Sequence, residues 1–66
     1  MTKAEQLTNR YFQGKHNAGL RRKIIARLQA NQPITPILHT VALTAAGKWA
    51  INQIETARTQ AAHVSR

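Results

Sequence analysis

A chain of 66 residues holds one domain at most, and with no cysteine it has neither a disulfide nor a thiolate zinc site to staple it. Ten Lys and Arg face two carboxylates, Glu5 and Glu55, for a net charge of +8; from Gln6 to Ile54 there is no acid at all. This excludes the mixed-sign surface that ordinarily secures solubility, and it points to an anionic partner, with nucleic acid the commonest, then an anionic membrane, then an acidic protein surface.

The elements follow in chain order. Thr2-Lys3-Ala4-Glu5 has the spacing of a capping box, and Ala4, Leu7 and Tyr11 then recur as one helical stripe. A first helix is expected over about 3–13, ended by Gly14. Asn17 is expected to cap a second helix over about 18–31, with Leu20, Ile24 and Leu28 as its apolar stripe and Ile25 alongside. Asn31 and Pro33 stop it. Thr35-Pro36 signals a third start, as an N-cap followed by proline at the first helical position. Ile37, Leu38, Val41 and Ala42 then face inward over about 36–43. Thr44 opens a last helix over about 45–62; the alternative is a single helix from Pro36 to Ala62, and the break near Leu43-Thr44 is preferred. Along the last helix Ala46, Ala50, Ile54, Ala57 and Ala61 share a face, flanked by Trp49 and Ile51, with Lys48, Asn52, Glu55 and Thr59 opposite. Residues 63–66 read as a frayed tail.

The expected architecture is therefore all-α, three or four short helices in a single small domain. Alanines on the last helix allow close approach of another helix, and so small a chain gains stability from extra burial, so a homodimer is expected. Trp49, Ile51, Ile54 and Ala57 are its candidate dimer or partner interface. No apolar run follows Lys3 as in a secretory signal, and no stretch approaches the roughly 20 apolar residues that cross a bilayer. The cytoplasm is the expected location.

Catalysis has little support. The two carboxylates are far apart, and His16, His39 and His63 lack the i, i+4 spacing of a helical metal site. No phosphate-loop or dinucleotide pattern occurs. No enzymatic activity, metal or cofactor is expected. The strongest candidate element is instead the second helix, whose Arg21, Arg22, Lys23 and Arg27 have no acid at i, i+4 to pair with. These four are expected to contact phosphates, with Arg10 and Lys15 extending the patch. Its apolar stripe is needed for the core, which argues against a membrane surface as the partner.

In Thr35-Pro36-Ile37-Leu38, Val41, Leu43-Thr44 and then Trp49, Ile51 and Ile54, the stretch 34–55 resembles the helix-turn-helix of small phage- and plasmid-type DNA-binding regulators. In that family an apolar residue precedes the Ser or Thr that caps the recognition helix, as Leu43 precedes Thr44. The family's turn commonly holds a glycine, absent from Ala42-Leu43-Thr44, and Lys48 stands where an apolar residue is usual. The resemblance implies that the last helix faces the major groove of double-stranded DNA, with Lys48 on phosphate or guanine and Asn52 reading adenine. It also implies a role in transcriptional or recombinational control. The alternative expectation is a small inhibitor that docks on an acidic surface of a larger host protein.

Overall fold

The computed structural model of the chain describes residues 2–64, with side chains as far as Ala61. Three α-helices carry the fold, α1 (Lys3–Tyr11), α2 (Ala18–Gln29) and α3 (Ala45–Val64), with short 3-10 helices at Lys15–Asn17 and Thr35–His39. No strand occurs among the described residues.

Each helix boundary has a local cause. The Thr2 hydroxyl accepts from the Glu5 amide at 3.2 Å, and the Thr2 hydroxyl also lies 3.2 Å from the Glu5 carboxylate, to which it donates. Here the Glu5 side chain answers the hydroxyl of the capping residue, where a full capping box would have it accept from that residue's backbone amide. The first helix stops at Tyr11, two residues earlier than expected, because Phe12 leaves helical geometry (φ −117°, ψ 53°) and Gly14 then takes φ 92°, ψ 166°. That region is open essentially to glycine alone. Helix α2 also stops two residues early, in a Schellman motif. Asn31 adopts φ 56°, its amide donates to the Leu28 carbonyl at 3.1 Å, and the Gln32 amide donates to the Arg27 carbonyl at 2.8 Å. Asn17 flanks α2 without capping it; its side-chain amide donates to the Gln13 carbonyl at 2.9 Å.

The expected helix over 36–43 is not an α-helix. Thr35–His39 forms a 3-10 helix whose flanking residue is Ile34, and the Thr35 side chain does not cap it. Pro36 sits in its first turn, as its fixed φ favours. The chain then runs without helix through Ala42–Thr44, and the Thr44 hydroxyl accepts from the Gly47 amide at 3.2 Å to start α3. The break near Leu43-Thr44 is therefore present and the continuous helix is not. At the other end the helix continues through Val64, beyond the expected stop at Ala62; Ser65 and Arg66 lie outside the described residues.

The relative directions of the helices follow from what meets at each end. Tyr11 and Phe12 share a groove with Leu20, Leu43 and Trp49, while Ala4 shares one with Leu28, Arg58 and Ala61. Helix α1 is thus antiparallel to both α2 and α3, and one end of the bundle gathers the stop of α1 with the starts of α2 and α3. The core is built from isoleucine: Ile24, Ile34, Ile37, Ile51 and Ile54 are fully enclosed, with Ala4, Phe12, Ala50 and Ala57 around them. Each buried isoleucine contributes about 1.5–3 kcal/mol. Thr8 is also fully buried, and its hydroxyl donates to the Ala4 carbonyl at 2.8 Å.

The core corrects the expected interface. Ile51 and Ile54 are 0% exposed and Ala57 is 7% exposed, so the folded chain itself occupies them and they offer no surface to a partner. The reason is that α3 packs on α1 and also beneath the 3-10 helix at 35–39. Two neighbours bury a wider sector than one stripe, and the sector includes Ile51, expected at its flank. Ala46 and Ala61, expected on the inner face, are exposed.

A basic, aromatic end of the bundle

The cations separate into those already engaged by the fold and those that are not. Arg21 is half-buried, and its Nη1 donates to the carbonyls of Phe12 at 2.6 Å and Gly14 at 3.3 Å. It satisfies acceptors just where α1 ends, where a helix presents partial negative charge. The first member of the expected phosphate set is thus a structural brace. Arg27 reaches the Pro33 carbonyl at 3.5 Å, the limit of a hydrogen bond, and is half-buried. Arg58 forms a two-pronged pair with Glu55, 2.8 Å on each arm. Lys3, Arg10, Lys15, Arg22, Lys23 and Lys48 are exposed, and among the described residues none of them meets a carboxylate.

Both acids are accounted for. Glu5 lies in the first turn of α1, at the end of the bundle remote from the start of α3. The Glu55 carboxylate accepts from the Ile34 amide at 3.3 Å as well as from Arg58. The bond from Arg58 holds its pKa below the ordinary carboxylate value; partial burial opposes this, and the Ile34 amide adds to the lowering. Glu55 was expected on an outward reading face, and instead it ties the chain before the 3-10 helix to the middle of α3.

Of the exposed cations, Lys15, Lys48 and Arg10 adjoin one groove in sequence. Lys15 lies between Phe12 and Asn17, and Lys48 between Gly47 and Trp49, and all four flanking residues line the same groove. Arg10 precedes Tyr11 of that groove; Lys23 instead lines a second groove with Ala26, Arg27, Gln32, Ile37 and Thr40, and Lys3 stands at the opposite end of α1. The starts of α2 and α3 add partial positive charge beside the first groove, while Arg21 offsets the negative end of α1. Exposed His16 belongs to the same connector. Lys48 and Asn52, four residues apart on α3, are both exposed on one line of the helix.

The first of these grooves has a volume of about 420 Å³. Its walls are Tyr11, Phe12 and Leu20 on one side, and Leu43, Gly47 and Trp49 on the other. Gly47 permits the close packing of Leu43 on α3, since a Cβ there would stand 3.3 Å from the Leu43 Cβ and Cδ2. Trp49 is 53% exposed, the one large apolar side chain standing out among the described residues. Its ring meets Tyr11 edge-to-face, with centroids 5.2 Å apart and planes at 62°. Trp49 alone of the four expected interface residues remains on the surface.

Two features of this end were not picked out from sequence. Tyr11 appears there only as a member of a stripe, and no local spacing ties it to Trp49. The neutralisation of Glu55 did have a signal, the i, i+3 spacing to Arg58. Among the described residues no three metal-ligating side chains come together, and no helix is long and apolar enough to cross a membrane. Comparison with protein-family models, curated proteins and solved structures finds no match to this chain.

Proposed function

We propose that the protein is a non-catalytic DNA-binding protein that grips the sugar–phosphate backbone with its exposed cations. The observation that carries this reading is the set Arg10, Lys15, Arg22, Lys23 and Lys48, all exposed and meeting no carboxylate, while Glu55 is held by Arg58 and Glu5 is remote from the groove. Unneutralised charge of one sign opposes folding, and a polyanion removes that repulsion on binding. Residues 36–43 do not form the first helix of a helix-turn-helix, so the regulatory role rests on the sequence resemblance of residues 34–55 to regulators of mobile elements alone, with Lys48 on phosphate and Asn52, exposed beside it on α3, as the base contact. Phosphate contacts position the protein without regard to sequence, and Asn52 is the residue suited to read one base.

The test is titration of a labelled DNA duplex followed by fluorescence anisotropy over a series of salt concentrations. If all five cations neutralise phosphates, log affinity falls against log salt with a slope of about −4.5, so a fourfold rise in salt weakens binding about 500-fold. Absence of binding to any DNA at micromolar protein in low salt overturns the reading. A second reading, a protein that docks on an acidic surface of a larger protein, is favoured by one observation, the exposed Trp49 beside an apolar groove. Capture from cell lysate that survives nuclease treatment supports the second reading over the first.

A further inference from the structure

We infer that the Tyr11–Trp49 groove receives an unpaired base, so that the preferred substrate is DNA with exposed bases, a single strand or a frayed end, over continuous duplex. The inference rests on the DNA reading and adds a substrate class to it.

Three observations converge. Trp49 is more than half exposed although the same chain buries five isoleucines fully. An exposed indole has little reason to stay fixed, yet this one is held edge-to-face by Tyr11, and both rings line the groove. The groove, at about 420 Å³, lies within the size range of small-ligand sites and is walled by Phe12, Leu20 and Leu43. Finally, no charged side chain lines the groove itself, but exposed cations adjoin its wall residues in sequence, Lys48 before Trp49, Arg10 before Tyr11 and Lys15 between Phe12 and Asn17.

The charge selects the occupant. An aromatic groove with neutral surroundings suits any apolar side chain. One whose wall residues are flanked in sequence by exposed cations, with no carboxylate in its lining, suits an apolar ring that arrives attached to phosphate. That is the chemistry of a nucleotide in an unstacked strand: phosphates on the lysines and arginine, base against the indole. Single-strand binders join a basic track to aromatic platforms in this way, and the stacking is tolerant of sequence because every base has a π face. A base inside a duplex has its faces covered by its neighbours and cannot make the contact.

The chain has a single tryptophan, so its intrinsic fluorescence reports on the groove directly. The experiment titrates the intact protein with oligothymidylate and with a duplex of equal length at one low salt concentration, following both tryptophan emission and the anisotropy of labelled DNA. Expected results are strong quenching by oligothymidylate, little by duplex, and tighter binding of the single strand. Trp49→Ala is expected to weaken single-strand binding roughly 5- to 150-fold, and Trp49→Phe to retain most of the affinity. Circular dichroism verifies that both variants fold; if Trp49→Ala does not, wild-type quenching decides alone. Equal binding of both DNAs without quenching, or full affinity in a folded Trp49→Ala, overturns the inference and leaves the DNA reading standing. Emission changes that follow protein concentration alone assign the groove to a second copy of the chain, and quenching by polyglutamate but not by DNA assigns it to an acidic protein; either overturns the inference. Failure to bind any DNA removes the DNA reading itself.

Discussion

Arg21 and Arg22 are adjacent, carry the same charge, and are predicted to fail in opposite ways when replaced by alanine. Arg21 donates to two carbonyls, Phe12 at 2.6 Å and Gly14 at 3.3 Å, from a half-buried position. Hydrogen bonds from a charged donor contribute about 1.5–3 kcal/mol, and the lower half of that range is apt where solvent still reaches the guanidinium. Arg21→Ala is therefore expected to cost about 1.5–2 kcal/mol. A domain of this size loses about 4–8 °C in Tm per kcal/mol, so the melting point falls by about 6–16 °C. Arg22 is exposed and makes no hydrogen bond within the described chain, so Arg22→Ala should stay within about 0.5 kcal/mol of the parent. For DNA the order reverses. Arg22→Ala lowers the steepness of the salt dependence by about 0.9 for its one phosphate, while Arg21→Ala, measured well below its own Tm, changes it far less. Both variants lose one unit of net charge, so a general electrostatic effect would weaken them alike. Thermal melts by circular dichroism and salt-series anisotropy on the two proteins suffice. Equal melting temperatures, or a salt slope reduced equally in both, would refute the assignment of Arg21 to the brace and Arg22 to the ligand.

Other residues provide independent checks. Ile54→Ala should cost about 2–5 kcal/mol, a large part of the stability of a small domain, and denaturant titration reads it. Had Ile54 belonged to a dimer interface only, the loss would vanish on dilution below the dissociation constant. Gly14→Ala meets no atom within 4 Å yet forces alanine into φ 92°, ψ 166°, so a loss of about 1–3 kcal/mol is expected from backbone strain alone; an unchanged midpoint would contradict that geometry. Glu55 releases its proton more readily in the folded than in the unfolded chain, because Arg58 and the Ile34 amide favour its charged form. Its contribution is complete above the ordinary carboxylate range and is lost as pH falls through the lowered folded value. Thermal melts should therefore show a drop in wild-type Tm between neutral pH and the acid limb that is smaller in Glu55→Gln; an identical pH profile in the variant would show that the pair does not contribute.

The fold was readable where side chains act on neighbours in sequence. The Thr2 and Thr44 caps, the break before α3, the apolar stripe of α2 and the stop at Asn31 all depend on partners within five residues, and all are present in the structure. Two local expectations failed, the Asn17 and Thr35 caps, and the rest of what escaped depends on contacts across the chain. The stretch 36–43 has apolar spacing that suits an α-helix, yet Ile34 and Ile37 are drawn into the core beside Ile51 and Ile54, and a 3-10 turn followed by extended chain satisfies that packing. Arg21 and Arg22 are indistinguishable in a basic run, since only the fold brings the Phe12 carbonyl to one of them. Trp49 and Tyr11 are 38 positions apart, and their pairing arises only because α1 stops where α3 starts. The composition did announce an acid-free stretch from Gln6 to Ile54, but not that an aromatic groove opens beside Arg10, Lys15 and Lys48.

That placement bears on why the chain tolerates its charge. Repulsion is strongest among cations that are close, and Arg10, Lys15 and Lys48 each stand beside a wall residue of the one groove. Here the helix starts add positive partial charge beside the same groove, which raises the cost further. Arg21 does not relieve that repulsion; it occupies the carbonyls where α1 ends, which are then closed to the other cations. With those acceptors filled, the remaining cations have no internal partner and stay extended into solvent. The brace and the binding surface are then two parts of one arrangement: removing the Arg21 side chain frees two carbonyl acceptors beside the cations, and a neighbouring arginine or lysine can turn back to fill them. In that event Arg21→Ala loses less stability in a protein that retains Arg22 than in one where Arg22 is also alanine. A double-mutant cycle on melting stability reads the difference, and strict additivity of the two substitutions would exclude such a rescue.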